Sequence, residues 1–353
     1  MSQPSPDEEL ECLYARTPAH PLSERDRYII FSDLHLGNGG RNDDFKSNSQ
    51  LFLTLLDRYY WPRGDTLILN GDIEELERFN VEPIVQRWTP LYSILERFAN
   101  AGRLYKIFGN HDYELSVRPT MIHPFRAMEA MRLSHPDGDM FIFHGHQTGR
   151  RREQPNLWVR YILRYLANPL GINNTSASHD SRKRYLTEQR ISDFSRKRKL
   201  ISIIGHTHRP LFESLSKVDV LKYTIENLVR DYVSAEERTR REIEAAIRDY
   251  RQELDAVTRK DLRRGLRETL YASNVVIPVL FNSGCVIGKR GVTGIELSGS
   301  TIALVHWFDT KVSRKYLNYH GRPAEELAGT DYYRKVLNED YLSYVFSRIK
   351  LLA

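Results

Sequence analysis

Five short polar motifs in this 353-residue chain carry side chains that can bind divalent metal ions. Each motif follows a run of apolar residues, and together the motifs supply carboxylates, imidazoles and one carboxamide. That mixture suits Mn, Fe or Zn better than a soft metal held by thiolates, and neither cysteine lies near a motif. The candidate metal ligands are Asp33, His35, Asp72, Asn110, His144, His206 and His208.

The spacing inside the motifs indicates what the ions would do. Asp33 and His35 are two residues apart, as are His206 and His208, so each pair can point at one ion from an extended or turn conformation. The carboxylate of Asp72 can bridge two cations. Two ions about 4 Å apart can hold a hydroxide and neutralise the entering and leaving oxygens of a phosphoryl group. The motifs therefore predict hydrolysis at phosphorus with two divalent ions, Mn first and Fe, Zn or Co as alternatives.

The apolar runs before the motifs predict the elements that position these side chains. Strands are expected at 28–32, 66–70 and 104–108, with helices over about 47–60 and 83–101 between them. Such alternation indicates a layered α/β fold. Open α/β sheets bind ligands beyond the carboxyl ends of their strands, so loops far apart in sequence can meet in one cleft.

Composition and charge are those of an ordinary globular protein with a formal net charge of +6. The chain opens without the basic and apolar segments of a secretory signal, and no stretch approaches the roughly 18 apolar residues of a membrane-spanning helix. Two cysteines are too few for a disulfide framework. We therefore expect a cytoplasmic protein with a poorly ordered segment over 1–26 and a single domain over 27–353.

The positive charge is concentrated in one predicted insertion, a basic helical cap over 147–199. Between Arg150 and Leu200 there are 13 Lys and Arg residues against 4 Asp and Glu residues. The segment 158–166 has apolar residues at helical spacing and arginines on another flank. The segment is interpreted either as a cap helix that packs on the core with a solvated charged face, or as a surface that attracts phosphate-rich substrate or anionic membrane.

A second predicted insertion, over 217–270, has nearly balanced charges and reads as a helical hairpin. Ser234 and Glu237 fit a capping box that begins its second helix. The hairpin could form a homodimer or support the core of its own chain, and the sequence does not choose. Strands are expected again at 275–281, 291–297 and 302–308, and the tail from 331 onward is expected to be helical.

The motifs in their order along the chain resemble those of the calcineurin-like metallophosphoesterases. The motifs are Asp33-x-His35, Gly71-Asp72, Gly109-Asn110-His111-Asp112, His144 and Gly205-His206-x-His208. The resemblance covers about 28–210 and the late strands. It implies a four-layer sandwich of two β-sheets flanked by helices, here with two helical insertions.

The resemblance also implies roles for individual residues. Asp33, His35 and His208 would hold one metal ion, Asp72 would bridge to the second, and Asn110, His144 and His206 would complete the second site. His111 would protonate the leaving oxygen, a role that suits the side chain with the most available proton near neutral pH. Glu75 would orient His111, with Asp112 as the rival for that role. Glu75 could instead be an acid favoured in the first turn of a helix.

Details around the motifs bear on the substrate. The acidic Glu75 is followed by Leu76 and Glu77, which disfavours the protein Ser/Thr phosphatases, where Arg-Gly follows. The basic cap and the Gly205–Pro210 motif are similar to those of the UDP-2,3-diacylglucosamine hydrolases, although those enzymes have Arg and Asp where this chain has His111 and His146. That similarity implies a small or lipid-linked phosphate substrate and a peripheral position on the inner face of the membrane.

Three residues near the motifs are candidates for substrate binding: Asn38, Arg41 and Arg209. A guanidinium such as that of Arg209 can bind phosphate through two hydrogen bonds, or it can form an exposed ion pair. Two other functions stay open. The basic insertion could track a nucleic-acid backbone in a nuclease, or the fold could serve as a scaffold without catalysis.

Overall fold

The protein is described by a computed structural model that covers residues 6–118, 121–122, 125–148, 181–212, 235–262, 277–317 and 323–353, with a few single positions between 221 and 233. Its strands are β1 (Ala19–Pro21), β2 (Arg27–Phe31), β3 (Thr66–Asn70), β4 (Leu104–Ile107), β5 (Ala127–Met128), β6 (Ala130–His135), β7 (Gly138–Phe143), β8 (Ile201–Ile204), β9 (Leu280–Asn282), β10 (Val292–Ser298), β11 (Thr301–Asp309), β12 (Glu325–Glu326) and β13 (Tyr332–Tyr341). Its helices are α1 (Pro6–Arg16), α2 (Ser49–Leu55), α3 (Val81–Arg87), α4 (Thr89–Asn100), α5 (Glu114–Val117), α6 (Ser181–Arg198), α7 (Glu237–Leu262) and α8 (Leu342–Leu352).

The strands form two sheets. The larger sheet has eight strands in the order β12-β13-β11-β10-β2-β3-β4-β5, and the smaller has five in the order β1-β6-β7-β8-β9. In the larger sheet β2, β3, β4 and β5 are parallel neighbours, while β10, β11, β12 and β13 pair antiparallel. In the smaller sheet β7, β8 and β9 are parallel. Both sheets therefore contain a parallel group whose carboxyl ends can hold a site.

Alternation along the strands builds the layers. In β2, Ile29 and Phe31 belong to the apolar cluster that includes Phe52 of α2 and Leu95 of α4, whereas Ile30 belongs to the cluster with Ile142 and Ile203 of the other sheet. Successive strand side chains point to opposite faces, so one strand serves two cores. A third cluster packs α1 and α6 on the outer face of the smaller sheet. The predicted α/β sandwich of two sheets flanked by helices is confirmed.

Three predicted elements differ in the structure. The segment 1–26 is not poorly ordered throughout, because α1 buries Leu10 and Leu13 and β1 pairs with β6. The tail does not begin as a helix: 332–341 is strand β13, paired with β11, and α8 follows it. The predicted helix over 83–101 is two helices, α3 and α4, which meet at Trp88.

Much of the two predicted insertions lies outside the described residues. In the basic insertion, 149–180 is not described, including the amphipathic segment 158–166, while α6 forms its second part. In the other insertion, α7 is one helix of 26 residues. The chain divides into two compact units, one of Met1–Phe212 with Ile277–Ala353 and one of Glu213–Val276.

Among the described residues, none of the helices combines the length and apolar character needed to cross a bilayer. Cys12 and Cys285 are both free thiols.

Candidate metal centre

The predicted ligands lie at the carboxyl ends of parallel strands, as the sequence indicated. The end of β2 pairs with β3 at Phe31 and Leu69, and β7 pairs with β8 at Ile142 and Ile203. The loops after β2 and β3 continue to pair beyond the strands: the backbone N–H of Asp33 donates to the carbonyl of Gly71 at 3.0 Å, and that of His35 donates to the carbonyl of Asp72 at 3.0 Å. These bonds fix the first two motifs side by side.

Five of the seven predicted ligands have a left-handed backbone. The φ angles are 55° at Asp33, 47° at His35, 52° at Asp72, 62° at His206 and 53° at His208. Side chains other than glycine adopt this region rarely, because Cβ approaches the backbone too closely. Strained conformations of this kind cluster at functional sites, where the surroundings hold them in place.

The glycines of the motifs are needed because ligand side chains lie against their Cα atoms. A Cβ on Gly71 would lie 2.3 Å from Nδ1 of His144, and one on Gly109 would lie 2.1 Å from Oδ1 of Asp72. A Cβ on Gly205 would lie 2.6 Å from Oδ2 of Asp33. Each of these three glycines, which precede Asp72, Asn110 and His206, therefore makes room for a candidate ligand of a different loop.

The first group of candidate ligands consists of Asp33, His35 and His208. Nε2 of His35 lies 3.1 Å from Nε2 of His208, which lies 3.0 Å from Oδ1 of Asp33. Ligand atoms about 2.1 Å from one ion lie roughly 3 to 3.5 Å apart. Two of the three spacings in this group thus match a shared ion, and the third, between Nε2 of His35 and Oδ1 of Asp33, is longer at 3.9 Å.

The second group consists of Asp72, His144 and His206, whose ligand atoms lie within 4.8 Å of one another. Nε2 of His144 lies 3.1 Å from Oδ2 of Asp72. Nδ1 of His144 donates to the carbonyl of Asn70 at 2.8 Å, which leaves Nε2 as the nitrogen with a free lone pair. Oδ2 of Asp72 also lies 4.0 Å from Nε2 of His35, so Asp72 is placed between the two groups.

Buried polar atoms without partners test whether these residues fit metal ions. Oδ1 of Asp33, Oδ1 of Asn110 and Nε2 of His144 are buried and make no hydrogen bond with good geometry among the described residues. Buried polar atoms are normally satisfied, because an unpaired one costs about 1 to 3 kcal/mol. All three belong to the predicted ligands, and carboxylate, carboxamide and imidazole are donors that divalent metals accept. The residues therefore fit two cations.

The electrostatics of the second group favour a cation. Burial disfavours the charged form of His144, but the carboxylates of Asp72 and Asp33 outweigh burial and raise its pKa to about 9. Burial and the neighbouring His144 lower the pKa of His206 to about 3, so its imidazole is neutral. The carboxylates that raise the pKa of His144 would also stabilise a bound metal ion, and the neutral His206 keeps a lone pair for it.

His111 and His35 share one carboxylate. Oε1 of Glu75 accepts from Nδ1 of His111 at 2.9 Å, and Oε2 accepts from Nδ1 of His35 at 2.9 Å. Burial opposes the charge on His111, but Glu75 and Asp72 outweigh it and hold the pKa of His111 well above its usual value. Burial opposes the charge on Glu75 too, yet the two histidines lower its pKa to about 2. Glu75 is therefore an ionised group that is hydrogen-bonded to both rings.

Asp112 does not contact the ring of His111 in the way that a residue orienting this histidine would. Its carboxylate accepts from the backbone N–H groups of Gly109 and Ile73, and Glu75 is the carboxylate that contacts Nδ1 of His111. Burial, with Asp72 and Glu74 nearby, raises the pKa of Asp112 to about 7. This corrects the expectation that Asp112 could orient His111: it holds the loops after β3 and β4 together.

The structure does not bring Asn38 or Arg41 to the predicted ligands by any contact among the described residues, and both are exposed. Arg209 follows His208 directly, and its Nη1 lies 3.4 Å from Oε2 of Glu188. The ion-pair alternative for Arg209 is therefore the one that the structure contains.

Two residues near the ligands escaped the sequence analysis. Glu188 of α6 and Asn282 of β9 both contact Thr207, which lies between His206 and His208. Neither stands beside a motif in the sequence, so no local signal could have identified them. Only the packing of α6 and β9 against the loop after β8 reveals them.

Comparison with known proteins bears on the family. The model of the calcineurin-like phosphoesterase family matches residues 27–210, which is more than half of the chain. No curated protein sequence matches. Among solved structures, the chain is similar to a cold-active protein tyrosine phosphatase at 10% identity, over 83% of this chain and 80% of that one, with a TM-score of 0.34. At that TM-score the similarity supports no argument about fold or function.

Proposed function

We propose that this chain, which belongs to the calcineurin-like phosphoesterase family, is a dinuclear hydrolase of a small or lipid-linked phosphate compound. Members of this family are metal-dependent enzymes that hydrolyse phosphoester bonds. The observation that carries the finer proposal is the pair of ligand groups with Asp72 between them, beside His111. One group would hold each ion, and both would lie next to a protonated imidazole.

The residues of the candidate site have different roles in the proposed reaction. Two divalent ions bound here would supply an activated water and would neutralise charge on the phosphoryl oxygens. His111 is held by Glu75 through Nδ1, which leaves Nε2 to give a proton to the leaving oxygen. The backbone N–H of His111 donates to Oδ1 of Asp72 at 2.8 Å, so the acid and the metal loop are held in one arrangement. His111 is 15% exposed, which leaves its ring open to a substrate.

The assay for this proposal combines metal content with the fate of solvent oxygen. Protein with Mn added should bind about two ions per chain and release nitrophenol from mono- or bis-p-nitrophenyl phosphate. In ¹⁸O-labelled water the label should enter the phosphate product, since the bond to phosphorus is the one that breaks. Failure to bind metal, or no turnover with Mn, Fe, Co or Zn, would support the scaffold function instead.

Membrane contact is part of the proposal, and the structure divides the basic insertion in two. Arg196, Lys197 and Arg198 end α6 beside the start of β8, at the opposite end of that strand from His206. Lys197 and Arg198 also pair with Glu11. The residues 182–184 lie at the other end of α6, and we propose that this end of the helix is the one that contacts anionic lipid.

A prediction follows for vesicle binding. Reversing the charges at 182–184 to Glu should weaken flotation with vesicles that contain anionic phospholipid, whereas Arg196→Glu with Lys197→Glu should change it much less. Equal effects would contradict a surface oriented toward the metal centre. Tight, salt-sensitive binding of DNA with cleavage would point to the nuclease instead.

A further inference from the structure

One buried carboxylate of α6 contacts the loop that carries two predicted metal ligands. Oε1 of Glu188 accepts from the hydroxyl of Thr207 at 2.9 Å, and Oε2 lies 3.4 Å from Nη1 of Arg209. Glu188 is only 8% exposed and Thr207 only 1%. These two partners flank His208, and Thr207 also follows His206 directly. The same side chain thus holds both neighbours of a ligand.

The loop is held from its other side by β9. Nδ2 of Asn282 donates to Oγ1 of Thr207 at 2.9 Å and to the carbonyl of Gly205 at 2.9 Å. Oδ1 of Asn282 accepts from the backbone N–H of Gly284 at 2.8 Å, which fixes the carboxamide. Thr207 therefore donates its proton to Glu188 and accepts one from Asn282. The hydroxyl of Thr207 is thus held both as a donor and as an acceptor.

The loop needs such an anchor because of its backbone. His206 and His208 have left-handed φ angles of 62° and 53°, a conformation that costs about 1 kcal/mol or more for each residue. Side chains two residues apart can share a side, so Thr207, between the two ligands, can point away from them into the protein. Contacts made by Thr207 oppose relaxation of the loop without touching the metal ions.

We infer that Glu188 is a positioning residue for the metal centre: through Thr207 it fixes His206 and His208 in ligating geometry and ties α6 to the metal loop. The inference rests on the proposed function, since it presumes that His206 and His208 hold ions. Glu188 touches neither substrate nor ion. Its effect should therefore appear as a change in metal affinity, as for other groups that support ligands from behind.

The test compares Mn²⁺ binding by calorimetry for the full chain and four variants. Glu188→Ala should weaken binding by about tenfold or more, and Thr207→Val should do the same because it removes the hydroxyl at equal volume. The conservative Glu188→Gln keeps an acceptor for Thr207 and should bind Mn²⁺ within about threefold of wild type. Glu82→Gln, at an exposed position of α3, is the matched control and should match wild type.

A double variant distinguishes loss of the contact between Glu188 and Thr207, called the clamp below, from a general loss of structure. If Glu188 acts through Thr207, then Glu188→Ala with Thr207→Val should bind Mn²⁺ no more weakly than Thr207→Val alone. Additive losses would overturn the inference, as would unchanged affinity in Glu188→Ala. Thermal unfolding without added metal checks that each variant is folded, and Glu188→Gln and Thr207→Val decide the case if the alanine variant unfolds. If wild-type protein binds no Mn²⁺, the proposed function fails rather than the clamp.

Discussion

At the scale of single residues, the chemistry of the candidate site depends on which atom of each histidine is free. Asn70 occupies Nδ1 of His144, and Glu75 occupies Nδ1 of both His35 and His111. Each ring is thereby left with Nε2 available. For His35 and His144 that nitrogen faces other ligand atoms, and for His111 it is free to donate a proton. The same arrangement, with Nδ1 hydrogen-bonded and Nε2 available, therefore suits both metal binding and acid catalysis.

The acid role of His111 predicts a loss of rate without a loss of metal. His111→Ala removes the proton donor, so kcat should fall by about 10² to 10⁴-fold. The fall should be larger for a phenyl ester than for a p-nitrophenyl ester, because the poorer leaving group needs the proton more. Metal content per chain, measured by mass spectrometry, should stay at the wild-type value, and a variant that arrives without metal would show that His111 is a ligand.

Because His144 lies so close to Gly71, we expect that adding a single methyl group at Gly71 abolishes metal binding. Gly71→Ala places Cβ 2.3 Å from Nδ1 of His144, so the ring must move and Mn²⁺ binding should be lost. Gly102→Ala is the control: φ is also positive there, at 69°, but no atom lies within 4 Å of the new Cβ. It should cost about 1 kcal/mol of stability and leave metal binding intact. Similar metal binding in the two variants would contradict the steric explanation.

The seven candidate ligands could be named from the sequence because they fall in five short motifs, each of which follows an apolar run. Their partners were harder to predict. The resemblance indicated that Glu75 would contact His111, but its second contact, with His35, was not predicted. Glu188 lies in a basic helix without a motif. Contacts of this kind are set by tertiary packing rather than by local spacing.

At the scale of elements, β2, β3 and β4 were predicted within one residue at each end, and the missed elements share a physical cause. Helix α1 buries only Leu10 and Leu13 in the third core, too sparse a pattern for a helix to be read from sequence. Strand β13 has charged residues such as Arg334 and Lys335 at buried positions. Arg334 is compensated by Glu296 of β10, a partner that is distant in sequence.

The buried carboxyl of Asp65, just before β3, should make the free energy of unfolding depend on pH. Burial of Asp65 raises its pKa from 3.8 to about 6, although Arg63 partly opposes the shift. The folded state therefore favours the protonated carboxyl, and stability is lost as the pH rises through about 6. Asp65→Asn removes this titration, so its stability relative to wild type should increase between pH 5 and pH 8 by on the order of 1 kcal/mol.

Urea unfolding at several pH values measures the effect. The exposed Asp249→Asn is the control, and the comparison is made on differences between variant and wild type so that other titrating groups cancel. A difference for Asp65→Asn that stays constant with pH, or that equals the one for Asp249→Asn, would contradict the assignment.

At the scale of the whole molecule, the described residues of the three apolar cores all lie in the unit formed by Met1–Phe212 and Ile277–Ala353. The two points where that unit is interrupted are close together. Leu211 and Asn282 exchange backbone hydrogen bonds of 3.1 and 2.8 Å, and the rings of Phe212 and Phe281 are 5.0 Å apart. A short connection can therefore join the two segments at little cost in loop entropy.

Replacement of residues 213–276 by a flexible linker of about eight residues should give a folded protein. We expect the stoichiometry of bound Mn²⁺ and the turnover of p-nitrophenyl phosphate to stay within a few-fold of wild type, because the predicted ligands and all three cores are retained. Mass spectrometry and a thermal unfolding curve measure the outcome. An unfolded or metal-free product would show that Glu213–Val276 is required for the fold.

The left-handed backbone at five candidate ligands is a local cost to the stability of the folded protein. Glycine at any of these positions would relieve the local torsional penalty but would remove a candidate ligand. A laboratory selection for thermal tolerance alone would therefore not protect these side chains. Engineering of a hardier enzyme should therefore leave the loops after β2, β3 and β8 unchanged and seek its gains elsewhere.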